Sequence, residues 1–162
     1  MSMGAGSLVA SAISIVLIIV VAYTIIGGTL VTAEVVAAAH KDLVQVQESR
    51  LHTSITIIDH SVDTSASTFY LLVENTGNEP ILKFDQMVVF TATEKTTPIY
   101  YPYNTAGGAG TWSWVSIQPD AIHPHELDPD ERINMSIHYE GAQPDWAQVT
   151  TSNGVSDSAY LR

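Results

Sequence analysis

The sequence predicts a long N-terminal transmembrane α-helix followed by an all-β, immunoglobulin-like antiparallel β-sandwich. Three observations predict it. No residue from Met1 to Ala33 is charged, although the chain of 162 residues carries 17 Asp and Glu and 6 Lys and Arg. From Ser54 onward, short runs alternate apolar with polar residues, the period of a half-buried strand; Ile133, Met135, Ile137 and Tyr139 alternate with Arg132, Asn134, Ser136 and His138. Turn-forming residues separate those runs, most plainly Asn75, Thr76, Gly77 and Asn78 before Pro80. The division falls near residue 50: residues 1–50 form the membrane-spanning and extended helix, and residues 51–162 the external domain.

The span comes first. Leu8 to Val31 is 24 residues without a charge, with Leu8, Val16, Ile19, Val21, Ile25 and Val31 along it. As a helix it covers about 36 Å at ~1.5 Å per residue, against a bilayer core of about 30 Å. A cleaved secretory signal would have a basic n-region and an apolar stretch of only ~7 to 15 residues. This segment has neither, although "VAAAH" at 36–40 offers small residues that a peptidase accepts. The helix is therefore expected to be retained in the membrane.

Gly6, Ala10 and Ser14 recur every fourth residue, which puts small side chains on one face where a second helix could approach. Ordinary membrane-helix composition produces the same pattern. Past the span, Val36, Ala39, Leu43 and Val46 keep a three-and-four spacing, while Glu34, His40, Lys41 and Asp42 take other faces. Residues 5–50 thus read as one helix of about 65 to 70 Å. Its upper stripe needs a partner, either the chain's own β domain or a neighbouring copy, so self-association is expected.

The β domain must be stabilised by packing, because the chain has no Cys for a disulfide framework or a thiolate metal site. Residues 51–162 carry 14 acidic and 4 basic residues, a net charge of −10 with His neutral. Such a surface repels nucleic-acid phosphates and anionic headgroups, which excludes nucleic acid as a partner class. Strand candidates are residues 54–58, 69–75, 81–84, 87–92, 99–101, 111–117, 132–139 and 146–151, with residues 59–68 left as a connection. About seven short antiparallel strands without helical period give the sandwich.

Sites are sparse. The loop from Asp120 to Glu131 gathers His123, His125, Glu126, Asp128 and Asp130, a set of oxygen and imidazole donors able to hold a divalent cation. It lacks the glycine-centred spacing of a dedicated calcium loop, and a solvated connection explains it as well. There is no nucleophile elbow and no phosphate-cradling glycine motif ahead of a helix, so an enzyme is not expected, nor is a cofactor. Asn134, Met135 and Ser136 form an N-x-S sequon on the wet side of their strand, open to glycosylation if that face lies outside the cell. Tyr100, Tyr101, Tyr103, Trp112 and Trp114 flank the glycine loop at 106–110. Some of these aromatics are expected at the surface as partner contacts, the alternative being that one Trp fills the core and the rest cover a loop.

Three stretches, "LHTSITI" at 51–57, "LLVENTGNEPI" at 71–81 and "PDWAQVTTSNGVSDSA" at 144–159, together with the helix-then-sandwich plan, carry a resemblance over most of the chain. The chain resembles the archaellin-related branch of the type IV pilin-like proteins, and within it the archaellum accessory families FlaF first and FlaG second. The second stretch looks like that group's V-x-N-T-G strand and turn. The third is similar to its closing strand and hairpin.

The resemblance implies a single-pass cell-membrane protein with its C-terminal domain outside the cell, tying the archaellum motor or filament base to the S-layer protein as a stator element. Other archaellum components would then be partners too. The orientation comes from the resemblance, because Lys41 and Arg50 lie beyond the span and Met1 to Ser7 carries no charge. The alternative is a FlaG-like or archaellin-like filament subunit assembling through its helix. Filament subunits of the group resemble one another in a basic residue before the prepilin cleavage site, and "MSMGAGS" has none, which favours the accessory protein. A third reading is a tethered metal-binding or glycan-binding module using residues 120–131.

Overall fold

The computed structural model describes residues 3–93 and 97–161. Met1 and Ser2, where processing would be read, lie outside them. Helix α1 runs without a break over Met3–His52. Residues Leu8 to His52 qualify as one apolar membrane-crossing helix by length and composition, and none of its most hydrophobic stretch is buried. Ile13, Leu17, Ile19 and Ile25 are all about 60 % exposed. That state is costly in water and natural in lipid.

Ser and Thr hydroxyls in the apolar part of α1 follow the rule for a lipid environment, in which polar groups must be satisfied within the helix. Ser14 donates to the Ala10 carbonyl at 2.9 Å, Thr24 to Val21 at 2.8 Å and Thr32 to Gly28 at 2.9 Å.

Two compact units divide the chain, Met1–Gln45 and Val46–Arg162. The second therefore includes the last two turns of α1 as well as eight strands: β1 Ile55–Asp63, β2 Thr68–Asn75, β3 Val88–Ala92, β4 Ile99–Tyr101, β5 Trp112–Gln118, β6 Arg132–His138, β7 Trp146–Thr150 and β8 Ser156–Tyr160. They form two antiparallel four-stranded sheets, ordered β1-β2-β6-β5 and β4-β3-β7-β8. The expected architecture, one long apolar helix followed by an all-β sandwich, is what the chain adopts.

Inward residues of β2 and β6 (Phe69, Leu71, Val73, Ile133, Met135, Ile137) meet Val89, Ala147 and Val149 of the other sheet, all fully buried. Trp112 fills the core, and its indole N–H donates to the Met87 carbonyl at 3.4 Å, as a buried indole requires.

Four details differ from the strand assignment read from sequence. Strand β1 continues to Asp63, because a bulge at Ile58 shifts the register against β2. The inward parity passes from Ile55 and Ile57 to Val62, leaving Ile58 39 % exposed; the alternation is preserved but changes phase. A second bulge in β5 turns Val115 outward and carries the inward side from Trp112 and Trp114 to Ile117. Residues 81–84 form no strand: Ile81 makes a single bridge to Leu127, and Phe84 begins a 3-10 turn, Phe84–Gln86. Strand β8 is a polar edge strand that alternation does not reveal; only the resemblance pointed to a closing hairpin there.

Candidate functional site

The second of the three resemblance-bearing stretches builds a joint. Asn75 ends β2 and is fully buried. Its side-chain amide donates to the carbonyls of Glu79, at 2.8 Å, and Leu127, at 2.9 Å, while its Oδ1 accepts from the Gly77 N–H at 3.0 Å. One side chain thus satisfies three backbone groups of the turn. A Cβ on Gly77 would lie 2.6 Å from the His52 carbonyl oxygen and 2.5 Å from the Ser54 nitrogen. Glycine is required there because two backbones touch.

Around this contact the end of α1 is bonded into the β domain. The Asn78 N–H donates to the His52 carbonyl at 2.8 Å, and the Thr76 N–H to that of Ser54 at 2.9 Å. The Ser49 hydroxyl donates to Glu79 Oε2 at 2.7 Å, and Asn153 Nδ2 to Thr53 Oγ1 at 2.6 Å. Val46, from the expected packing stripe, lines a cleft of about 360 Å³ here with Ser49, Glu79, Leu82 and Asn153. The other stripe and small-residue positions, Gly6, Ala10, Ser14, Val36, Ala39 and Leu43, are exposed on α1.

In the loop 120–131, the backbone separates the candidate ligands. His123, Glu126 and Asp128 come together with ligand atoms within 4.8 Å of one another. His125, held at φ 71, packs instead against Trp114 in a tilted arrangement with ring centroids 5.6 Å apart, and Asp130, at φ 64, stands exposed. The carboxylates also serve the loop itself. His123 Nδ1 donates to Asp128 Oδ1 at 3.0 Å and its backbone N–H to Oδ2 at 3.0 Å. Buried Glu131 accepts from the N–H groups of Ala121 and Asp128. The hydrogen bond to Asp128, reinforced by that residue's charge, raises the His123 pKa above the ordinary histidine value. The same bond lowers that of Asp128, against the opposing effect of its burial.

Of the five aromatics expected near the glycine loop, Tyr101 and Trp112 belong to the core and are not available as surface contacts. Tyr103 is half-buried with its ring 4.8 Å from that of Trp112, and Trp114 is half-buried beside His125. Tyr100 is 51 % exposed, its ring 5.7 Å from Phe90. Asn134 is half-buried in a shallow polar depression of about 310 Å³ lined by Asp59, His60, Ser61, Tyr70 and Leu72. Ser136 of its sequon is buried between strand neighbours Tyr70 and Ser113. Sequence reasoning did not see the joint; its signal was Gly two residues after a strand-ending Asn, the spacing at which an Asx turn forms.

No protein-family model matches the chain. A curated relative, an uncharacterized protein of Archaeoglobus fulgidus, is 28 % identical over 98 % of this chain and 96 % of its own length. Among solved structures, the archaellum periplasmic stator protein FlaG from Sulfolobus acidocaldarius matches 67 % of this chain and 99 % of its own, with TM-score 0.51 and 18 % identity. The matched part of the chain shares the fold of that solved chain. The FlaF and FlaG complex of the same organism matches 66 % of this chain and 87 % of its own, with TM-score 0.50 and 18 % identity. The archaeal flagellum of Methanospirillum hungatei matches 93 % of this chain and 90 % of its own, with TM-score 0.53 and 14 % identity. The last match is long enough to take in the helix as well.

Proposed function

We propose that this chain is an archaellum accessory protein of the stator type, anchored by α1, with its sandwich outside the membrane gripping the S-layer and so holding the motor or filament base against torque. One observation carries the reading: about two thirds of this chain, 67 %, matches 99 % of the solved chain of a periplasmic stator protein. The role is mechanical rather than catalytic, and the joint at Asn75 and Gly77 suits it, since it ties the last turns of the helix into the domain that grips.

The second reading, a filament subunit, is favoured by the archaeal flagellum match over 93 % of this chain, helix included. Immunogold labelling of whole cells separates the two. A stator gives label confined to the cell surface, with the sandwich cut by protease added to intact cells and crosslinked to the S-layer protein. Label along the filaments establishes the subunit reading, and a sandwich shielded in intact cells but cut in opened ones rejects both.

A further inference from the structure

The outer face of the sheet β4-β3-β7-β8 differs from the rest of the domain surface. Pairing places Phe90 opposite both Tyr100 and Gln148, Gln148 opposite Ser158, and Trp146 opposite both Ala92 and Tyr160. Tyr100, Phe90, Trp146 and Tyr160, one aromatic from each strand, therefore form one stepped diagonal across the sheet: Tyr100 faces Phe90 and Trp146 faces Tyr160 directly, and Phe90 and Trp146 are diagonal neighbours, within reach for aromatic side chains. Tyr100 and Tyr160 are 51 % and 70 % exposed, and Phe90 and Trp146 are half-buried. Between and beside the rings stand Gln148, Thr150, Ser156 and Ser158. Among the described residues, no strand position on this face is charged. The outer face of the other sheet carries Asp59, Glu74 and Arg132.

A neutral face in a domain of net charge −10 limits what can lie on it. It offers no cation for a phosphate or an anionic headgroup. Two copies face to face would bring two strongly acidic domains together. The interior of a protein interface also uses aromatic rings but sets them within a largely apolar core, and beside its rings this face supplies only Val88 and Ala92 as apolar neighbours. What it does supply is rigid amphipathic rings interleaved with uncharged amide and hydroxyl groups, which donate and accept equally. A saccharide presents the complement, with C–H faces to stack on rings and hydroxyls that pair with Gln148, Thr150 and Ser158.

We infer that this aromatic diagonal is a binding face for a neutral glycan. The inference deepens the proposed anchoring by giving the chemistry of the grip, and rests on that reading only for where the glycan is met. The test uses the full chain in lipid nanodiscs, free of sugar-based detergent, titrated with neutral tetrasaccharides of glucose, mannose and N-acetylglucosamine. At least one should bind, shift Trp146 emission, and keep its affinity at about 1 M salt, where the Debye length is about 3 Å.

Tyr160→Ala and Tyr100→Ala, both at exposed positions, should each weaken binding tenfold or more, Tyr160→Phe should weaken it less, and Tyr70→Ala on the opposite sheet should not. Binding by none of the three probes at millimolar concentration, or equal binding by Tyr160→Ala, overturns the inference. So does a Tyr160-dependent self-association or capture of sugar-free protein without saccharide binding. Glycan binding by a chain that immunogold places away from the archaellum would retain this inference and discard the stator.

Discussion

Ile19 in α1 is 61 % exposed, and Ile133 in β6 is fully buried. The two side chains have the same chemistry, so the difference lies in what each is given to pack against. The sandwich supplies its own second layer, sheet on sheet, and closes over its apolar residues. The helix from Leu8 to Val31 has no such layer, and its Ser and Thr hydroxyls turn back to carbonyls of the preceding turn. One chain thus contains a domain designed for water and a segment designed for lipid, and each should fail by its own route.

The largest expected effect is on the helix. Leu8 to Val31 holds 14 Leu, Ile and Val residues, each favouring insertion by about 0.3–0.6 kcal/mol, whereas an arginine at the centre opposes it by about 2.5–3.5 kcal/mol. Replacing Ile18 and Val21 by Arg together costs about 6–8 kcal/mol on that scale, enough to offset most of the segment's preference. The variant should leave the membrane fraction on carbonate extraction, and the thermal unfolding of its sandwich should match that of the parent. Loss of the sandwich transition in the released protein would show that the two regions are not independent.

Gly77→Ala should do the reverse, with a smaller magnitude. The added methyl meets backbone atoms of His52 and Ser54, which cannot rotate away as a side-chain end can, so the joint must open at a cost of about 1–3 kcal/mol. Hydrogen exchange should quicken at residues 49–54 and 75–79, with membrane extraction unchanged. Unaltered protection there would mean that the close approach at Gly77 does not hold the joint.

The same contrast explains how far the sequence could be read. An uncharged run of 24 residues is disfavoured in water, so α1 was legible from Leu8 onward, and strict alternation made β6 legible. Bulges at Ile58 and Val115 were not, because one inserted residue reverses the inward parity without leaving any compositional mark. β8 buries too little to alternate. In the loop 120–131 the donor types were visible, but left-handed φ values at His125 and Asp130 send those residues away from His123, and no spacing rule predicts that. Which aromatics face outward was hidden for a related reason: Trp112 and Trp114 share one side of β5, and the outward row joins two strand pairs, β3–β4 and β7–β8, that are distant from each other in sequence.

The smallest expected effect belongs to His123 and Asp128, and it depends on pH with a definite sign. The hydrogen bond from His123 holds the Asp128 pKa down, so this carboxylate's contribution to stability is present above its unfolded value and is lost as pH falls through the depressed folded value. His123 is shifted up by the same bond and by the charge of Asp128. Its contribution is therefore complete below the ordinary histidine value and is lost as pH rises through the raised one. Both are fully present only from about pH 4 to about pH 6.5. The melting temperature of the full chain in nanodiscs should form a shallow plateau across that window and decline on either side. Asp128→Asn should flatten the upper edge, because the histidine loses the anion that raised it, while α1 carries no partner of this pair and membrane extraction should stay constant throughout. An upper edge unchanged in Asp128→Asn would mean that the pair does not set the pH response of this loop.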